Sequence, residues 1–240
     1  EKNALVDIAV IRLPRISNFT DFNPLEYING GSLRYVGSVK ELKNPDLIII
    51  PGTKNTISDL IWLRECGLEA AIMKHVSKGK PVIGICGGYQ MLGLSLRDPH
   101  NVENGGEISG LGLLSCDTVF EEEKITVRVE GKLETVSGIF SSLSGLEFEG
   151  YEIHMGDTTN NKNIVNEGNV YGTYIHGIFD RDNVSRAVIE AILKNKGLEI
   201  ENLKTFDIKE YKQTQYDILA DEIRKSVDME YIYKVMGIKK

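Results

Sequence analysis

Cys86 stands where an apolar run gives way to a glycine pair, in the stretch KPVIGICGGYQMLGL (Lys80 to Leu94). Such a run, closed by Gly87-Gly88 and followed by Tyr89, Gln90, Met91 and Leu92, reads as a buried strand turning sharply into a helix. A side chain at that corner is thrust into the crevice beyond the strand, and the turn is tight enough to demand glycine on its flanks. Gly84-Ile85-Cys86-Gly87-Gly88 has the form of the nucleophile elbow of G-x-S-x-G hydrolases, with sulfur in place of oxygen. The chemistry it permits is attack by a thiolate on an acyl carbon. A free thiol titrates near ~8.5, and a helix N-terminus or a nearby imidazole lowers that value. The amide of Gly87, at the helix start, would face the oxyanion such an attack creates. The competing role for Cys86 is that of a small buried hydrophobe, the commonest fate of a cysteine.

A thiol nucleophile needs a base, and the histidines are His75, His100, His154 and His176. His75 lies between Lys74 and Lys78 on a helical stretch, which predicts an exposed side chain, and His100 falls in the loop-like DPHNVENGG. His176 ends the strand-like VYGTYIH, just before Gly177, and so repeats the strand-end placement of Cys86. His154 also follows a strand-like run, GYEIH, so two candidates remain.

The elements needed to hold these residues follow from the pattern. Val6 to Leu13 reads as a buried strand, followed by the irregular PRISNFTDFNPLEY, a long ordered loop or short helical turn. Ser32 to Ser38 is a second strand candidate, and DLIIIPGTKNT is a β-branched run stopped by Pro51-Gly52. Continuous apolar runs of this kind belong to central parallel strands buried on both faces. Thr56 to Lys78 carries Ile57, Leu60, Ile61, Leu63, Leu68, Ile72 and Met73 at helical spacing, broken near Gly67. This alternation predicts an α/β fold: a doubly wound, mostly parallel sheet flanked by helices. Beyond about residue 101, GLGLLSCDTVF, KITVRVEG, FEGYEIHMGDT and NVYGTYIHGIFD read as short antiparallel strands at one edge of that sheet. Asn183 to Lys194 is amphipathic, and Tyr211 to Met236 gives one or two more helices. The chain is expected to form a single domain over 1–240, with a core to about residue 200 and a C-terminal helical extension over 201–240.

At 240 residues, 41% hydrophobic and 26% charged, the chain can bury a sizeable core. Lys and Arg number 28 against 35 Asp and Glu, a formal charge of −7, which argues against a general nucleic-acid surface. Cys66, Cys86 and Cys116 form neither a disulfide framework nor a zinc-ligand spacing, and Cys66 and Cys116 read as structural. No metal or cofactor is expected in this chain. The opening EKNALVDIAVIRLP is too short to span a bilayer and has no cleavage site, so a cytoplasmic location without membrane attachment is expected. Its abrupt apolar start fits a piece of something longer.

With these residues placed, the chain resembles the class I glutamine amidotransferase domain. Cys86 and Gln90 in GICGGYQMLG match the glycine-flanked cysteine and following glutamine, PGTKNT matches the upstream Pro-Gly loop, and GTYIHGIFD matches the downstream histidine. Within that family IRLPRISNFTDFNPLE, PGTKNTISDLIWLRE and YEIHMGDT are similar to the cobyric acid synthase branch. The resemblance implies that Cys86 attacks the side-chain amide carbon of glutamine and that His176 relays a proton to the departing ammonia. It also implies that amides of Gly87 and of the Gly52 loop hold the oxyanion and that Gln90 helps orient the substrate. Most members carry Glu two residues after the histidine, where this chain has Ile178, so the third member of the triad is unassigned and Glu152 is a candidate orienter.

The resemblance further implies a partner, an N-terminal ATP-dependent synthetase domain that uses Mg²⁺ and binds most of the corrinoid whose carboxylates are amidated. No G-x-x-x-x-G-K-[ST] loop occurs here, so that domain is absent from this chain. The same glutaminase could serve another ligase, such as cobyrinic acid a,c-diamide synthase or the cell-wall glutamate amidating pair. Two readings of other classes stand beside it: a non-catalytic docking or regulatory module, and an unrelated thiol hydrolase.

Overall fold

The computed structural model of the 240-residue chain describes residues 5–28, 30–160, 162–198 and 208–237. The chain divides into two compact units, Glu1–Phe206 and Asp207–Lys240. The change from core to extension expected near residue 200 falls in 199–207, outside the described residues.

The first unit runs β1 (Val6–Ile11), α1 (Asn23–Tyr27), β2 (Gly31–Val36), α2 (Val39–Leu42), β3 (Leu47–Ile50), α3 (Thr56–Glu65), α4 (Leu68–Ser77), β4 (Val82–Ile85) and α5 (Gly87–Leu92). It continues through β5 (Ser95–Asp98), β6 (Gly106–Ser109), β7 (Asp117–Lys132), β8 (Glu147–Thr158), β9 (Val165–Glu167), β10 (Val170–Thr173) and α6 (Asp182–Asn195). Short 3-10 segments occupy Phe19–Phe22 and Gly138–Leu143, the second kinked at Phe140.

A six-stranded sheet has the order β2-β1-β3-β4-β10-β9, parallel except for the antiparallel edge strand β9. Its central strands are the continuous apolar runs. All four residues of β3, of β4 and of β10 are buried, because helices cover both faces. Side chains alternate accordingly. Ile8 and Val10 of β1 and Leu47 and Ile49 of β3 join a core with Val184, Val188 and Ile192 of α6. Ala9, Ile11, Ile48 and Ile50 join the opposite core with Ile57, Leu60 and Leu63 of α3 and Leu68 and Ile72 of α4. Gly67, at φ 78°, separates α3 from α4 where the apolar spacing breaks.

The antiparallel segments differ from the sequence expectation. Most do not extend the edge of the main sheet but build a second, four-stranded sheet of order β6-β5-β7-β8, which includes one parallel pair, β5 with β7. β10 lies inside the main sheet, between β4 and β9. The reason is length: β7 and β8 span 16 and 12 residues and pair with each other through a register shift between Phe120 and Ile125. β8 then meets the main sheet through one antiparallel bridge, Tyr151 to His176.

The second unit contains α7 (Ile208–Ser226) and α8 (Met229–Val235), the latter capped by Asp228 accepting from the amide of Tyr231. Among the described residues no helix is long and apolar enough to cross a membrane.

Candidate active site

The strand order changes direction at β1, since β2 follows on one side and β3 on the other. In open parallel sheets the crevice beyond the carboxyl ends of the strands at such a switch point collects ligands. The segments after β1, β3, β4 and β10 meet there. A cavity of about 420 Å³ is lined by Ser17, Asn18, Thr53, Cys86, Gln90 and Glu103, among others.

Cys86 occupies the corner between β4 and α5 with φ 52° and ψ −111°. A side chain is rarely held in that region, and such strain at a turn is characteristic of functional positions. The conformation survives because the surroundings leave no alternative. The Cys86 amide donates to the Thr173 carbonyl at 2.8 Å, and its carbonyl accepts from the Gln90 amide at 3.0 Å, opening α5. A Cβ on Gly88 would lie 1.9 Å from the Ile50 carbonyl oxygen, so only glycine lets α5 pack on the end of β3. Cys86 is 7% exposed, and its thiol lies 3.5 Å from the Ile153 carbonyl oxygen at the cavity wall.

His176 is fully buried just past β10. Its backbone exchanges hydrogen bonds of 2.8 and 3.1 Å with Tyr151, whose ring stacks on the imidazole at 5.2 Å and 22°. Gly52 closes over the ring, since a Cβ there would lie 3.0 Å from Cε1 and 3.7 Å from the Cys86 Cβ. The Asn18 amide nitrogen lies 3.0 Å from Nδ1 and 3.1 Å from Nε2. Asp21 places Oδ2 2.7 Å from Nδ1. Burial alone would drive the imidazole toward its neutral form. The hydrogen bond to Asp21 and then the nearby Cys86 outweigh it and raise the His176 pKa to about 9. Burial pushes the Asp21 carboxyl upward in turn, against the pull of the imidazole and of the Gly177 amide.

Gln90 is buried, with both ends of its amide engaged: Oε1 accepts from Thr56 at 3.0 Å and Nε2 donates to the Tyr174 hydroxyl at 3.1 Å. A Cβ on Gly87 would press to 2.8 Å on the Thr53 side chain, so the start of α5 lies directly beneath the segment after β3.

Sequence reasoning thus named Cys86, His176, Gly52, Gly87 and Gln90, and these come together here. Glu152 does not reach His176. Alternation along β8 puts it on the face opposite Tyr151, where its carboxylate lies 3.4 Å from Nε2 of His154. His154 itself donates from Nδ1 to the Gly156 carbonyl at 2.7 Å and stacks on Tyr174 at 3.8 Å. His75 is not exposed. It is 5% accessible, its Nε2 donates to the Pro81 carbonyl at 3.1 Å, and burial lowers its pKa to about 4.

Sequence reasoning missed Asp21, Asn18 and Glu103. The signal for the first two is the strand-end rule that singled out Cys86, applied to the segment after β1. Glu103 had no local signal. It sits in a loop gathered by Asp98, whose carboxylate accepts from the amides of Val102, Glu103, Asn104 and Gly105 at 2.8 to 3.0 Å. From there Glu103 accepts from the amides of Thr56 and Ile57, at the start of α3. Among the described residues, no group of three or more His, Cys, Asp or Glu could hold a metal ion.

Comparison with known proteins identifies the family. Residues 7–184 match the model of the CobB/CobQ-like glutamine amidotransferase domain. The chain is 55% identical over 252 residues to a cobyric acid synthase of Ruminiclostridium cellulolyticum, covering 97% of this chain and 49% of that protein. It is 50% identical to one of Lachnoclostridium phytofermentans, covering 96% and 50%. The chain therefore spans about half the length of the curated relatives it matches. Among solved structures, PurLQS from Thermotoga maritima aligns with a TM-score of 0.56 at 21% identity, covering 80% of this chain and 99% of that one. A further structure described as a glutamine amidotransferase aligns with the same TM-score at 15% identity and the same coverage, and both likenesses speak to the fold. The chain belongs to the CobB/CobQ-like glutamine amidotransferase domain family.

Proposed function

We propose that this chain hydrolyses glutamine through a thioester on Cys86 and supplies the ammonia to an ATP-dependent synthetase that amidates corrinoid side-chain carboxylates. The observation that carries the reading is the strained Cys86 corner, which lines the cavity, with the buried His176 beside it. A raised imidazole pKa keeps His176 protonated beside the thiol, ready to protonate a leaving nitrogen.

The thiolate attacks the side-chain amide carbon, and the carbonyl electrons move to an oxyanion held by the Gly87 amide and the segment around Gly52. Removal of one such donor costs roughly 3 kcal/mol of transition-state stabilisation. The tetrahedral intermediate collapses as the His176 imidazolium protonates the departing nitrogen, which leaves as ammonia. His176, now neutral, takes a proton from water as the water attacks the thioester. Glutamate leaves and the thiolate returns. Gln90, held by Thr56 and Tyr174, shapes the cavity for the substrate. Glu103 on one part of the lining, with Lys54 and Lys124 on others, suits the ammonium and carboxylate of an amino acid.

The names of the relatives and the half-length match support a corrinoid as the final acceptor. Use of ATP and Mg²⁺ by a synthetase half, and a cytoplasmic location, belong to the same proposal. The test is glutamine hydrolysis by the chain with its synthetase partner, with covalent trapping of Cys86 by diazo-oxo-norleucine. Loss of both in Cys86→Ser is expected. Full glutamine-dependent activity in Cys86→Ser would overturn the reading, and ammonia transfer only to a different acceptor would reassign the ligase.

A further inference from the structure

The position two residues after His176, where a carboxylate would act on the ring, holds Ile178, which is 3% exposed and packed in the apolar core shared with α6. A charge there would be buried among aliphatic side chains. Another carboxylate meets the ring instead. Resting on the reading of Cys86 and His176 as the glutaminase pair, we propose that Asp21, carried on the segment after β1, is the positioning residue that sets the tautomer and orientation of His176.

The geometry is specific. Asp21 is 5% exposed, and its Oδ2 lies 2.7 Å from Nδ1 of a ring 155 residues away in sequence. With Nδ1 donating to Asp21, Nε2 is the ring nitrogen that can serve the thiol and the leaving nitrogen, a place it shares with the Asn18 amide nitrogen at 3.1 Å. A neighbouring carboxylate fixes an imidazole for acid–base work in this way. Asp21 also accepts from the Gly177 amide, so the acid is tied to the turn that carries the ring. The other titratable groups facing the ring are Cys86 from the β4 corner and Tyr151 from β8, while Asp180, in the turn after His176, acts on Asp21.

The segment that carries Asp21 is itself clamped to the segment after β3. The Ser17 amide donates to the Gly52 carbonyl at 2.9 Å and the Lys54 amide to the Arg15 carbonyl at 3.0 Å. The fully buried Asp59 accepts from the Arg15 amide at 3.1 Å, from Arg15 Nη1 at 2.9 Å and from the Thr53 hydroxyl at 2.5 Å. Phe22 and Leu25, fully buried, anchor the far side. Asp21 therefore meets His176 from a rigid mount, and the mount also fixes Gly52.

The test is Asp21→Asn, which keeps the volume and removes the charge, studied with the synthetase partner present. NMR titration of the labelled His176 ring should move from about 9 toward 6.5. The kcat for glutamine hydrolysis should fall roughly 10²- to 10⁴-fold, with KM changed by less than about threefold. Asp21→Glu should keep the elevated titration and recover part of kcat. Asp21→Asn with an unmoved titration overturns the proposal, as does a kcat within about twofold of the parent. If Asp21→Asn does not fold, Asp21→Glu decides: full activity with the ring titrating near 6.5 overturns the proposal, and partial activity with a high titration supports it. Hydrolysis that survives Cys86→Ala would instead remove the glutaminase reading, while the His176 titration would still report on Asp21.

Discussion

Cys86 and His176 sit at the carboxyl ends of neighbouring parallel strands, β4 and β10, yet different physics holds them. The cysteine corner is local. Its backbone adopts φ 52°, and Gly84 and Gly88 pack so closely that a Cβ on Gly84 would lie 2.6 Å from the Gly88 carbonyl oxygen. The histidine is held from a distance, by Tyr151 of β8, by Gly52 after β3 and by Asp21 after β1. The position of the nucleophile is stored in backbone conformation, whereas that of the base is stored in tertiary contacts that titrate.

Four changes would break or sharpen this contrast. The largest effect is expected from Cys86→Ala, which should lower the kcat for glutamine hydrolysis by about 10⁵-fold, while the ring titration falls only by the share Cys86 contributes and stays above 6.5 through the Asp21 contact. Next comes Gly88→Ala. Its new methyl would meet the Ile50 carbonyl oxygen at 1.9 Å, and thermal or urea unfolding should show a loss of about 3 kcal/mol or more. If the corner is truly local, the His176 titration should change only as far as the fold is lost.

The third concerns pH, where the two buried histidines act in opposite senses. His176 has a folded pKa of about 9 against 6.5, so its stabilisation is complete below pH 6.5 and fades as pH rises through 9. His75 has a folded pKa of about 4 against 6.5, so folding excludes its proton. Its stabilisation is complete above 6.5 and is lost as pH falls through 4, by roughly 3 kcal/mol. His75→Gln, which keeps a donor for the Pro81 carbonyl, should flatten the acid limb of urea midpoint against pH and leave the alkaline limb alone. The smallest effect separates Cys86→Gly from Cys86→Ala. Glycine relieves the strained φ, and the Gly variant should be more stable by about 1 kcal/mol in urea unfolding.

The main sheet was legible because β3 and β4 are continuous apolar runs, and a run buried on both faces leaves few alternatives. The Cys86 corner was legible for the same reason its hold is local: the glycines that permit it are its neighbours in sequence. The second sheet was not. Most of β7 beyond Phe120 is exposed, so no buried periodicity announces which strand it pairs with. His75 was misplaced by weighing Lys74 and Lys78, although it falls three residues after Ile72, on the buried face that also holds Leu68. Asp21 illustrates the limit. A carboxylate that acts on a residue 155 positions away leaves no mark in local spacing.

Asp98 carries a consequence for engineering. The loop over 101–105 is mostly polar and partly exposed, the kind of tip where an inserted tag or peptide is usually tolerated. Here the Asp98 carboxylate, 1% exposed, collects four successive amides, and those donors hold it below the usual carboxylate range against the cost of burial. The same turn delivers Glu103 to the first amides of α3. A graft at residue 103 or 104 would pull the amides off their shared acceptor and uncap the helix beneath the cavity. This surface loop is a poor fusion site, and its length is set by one buried carboxylate.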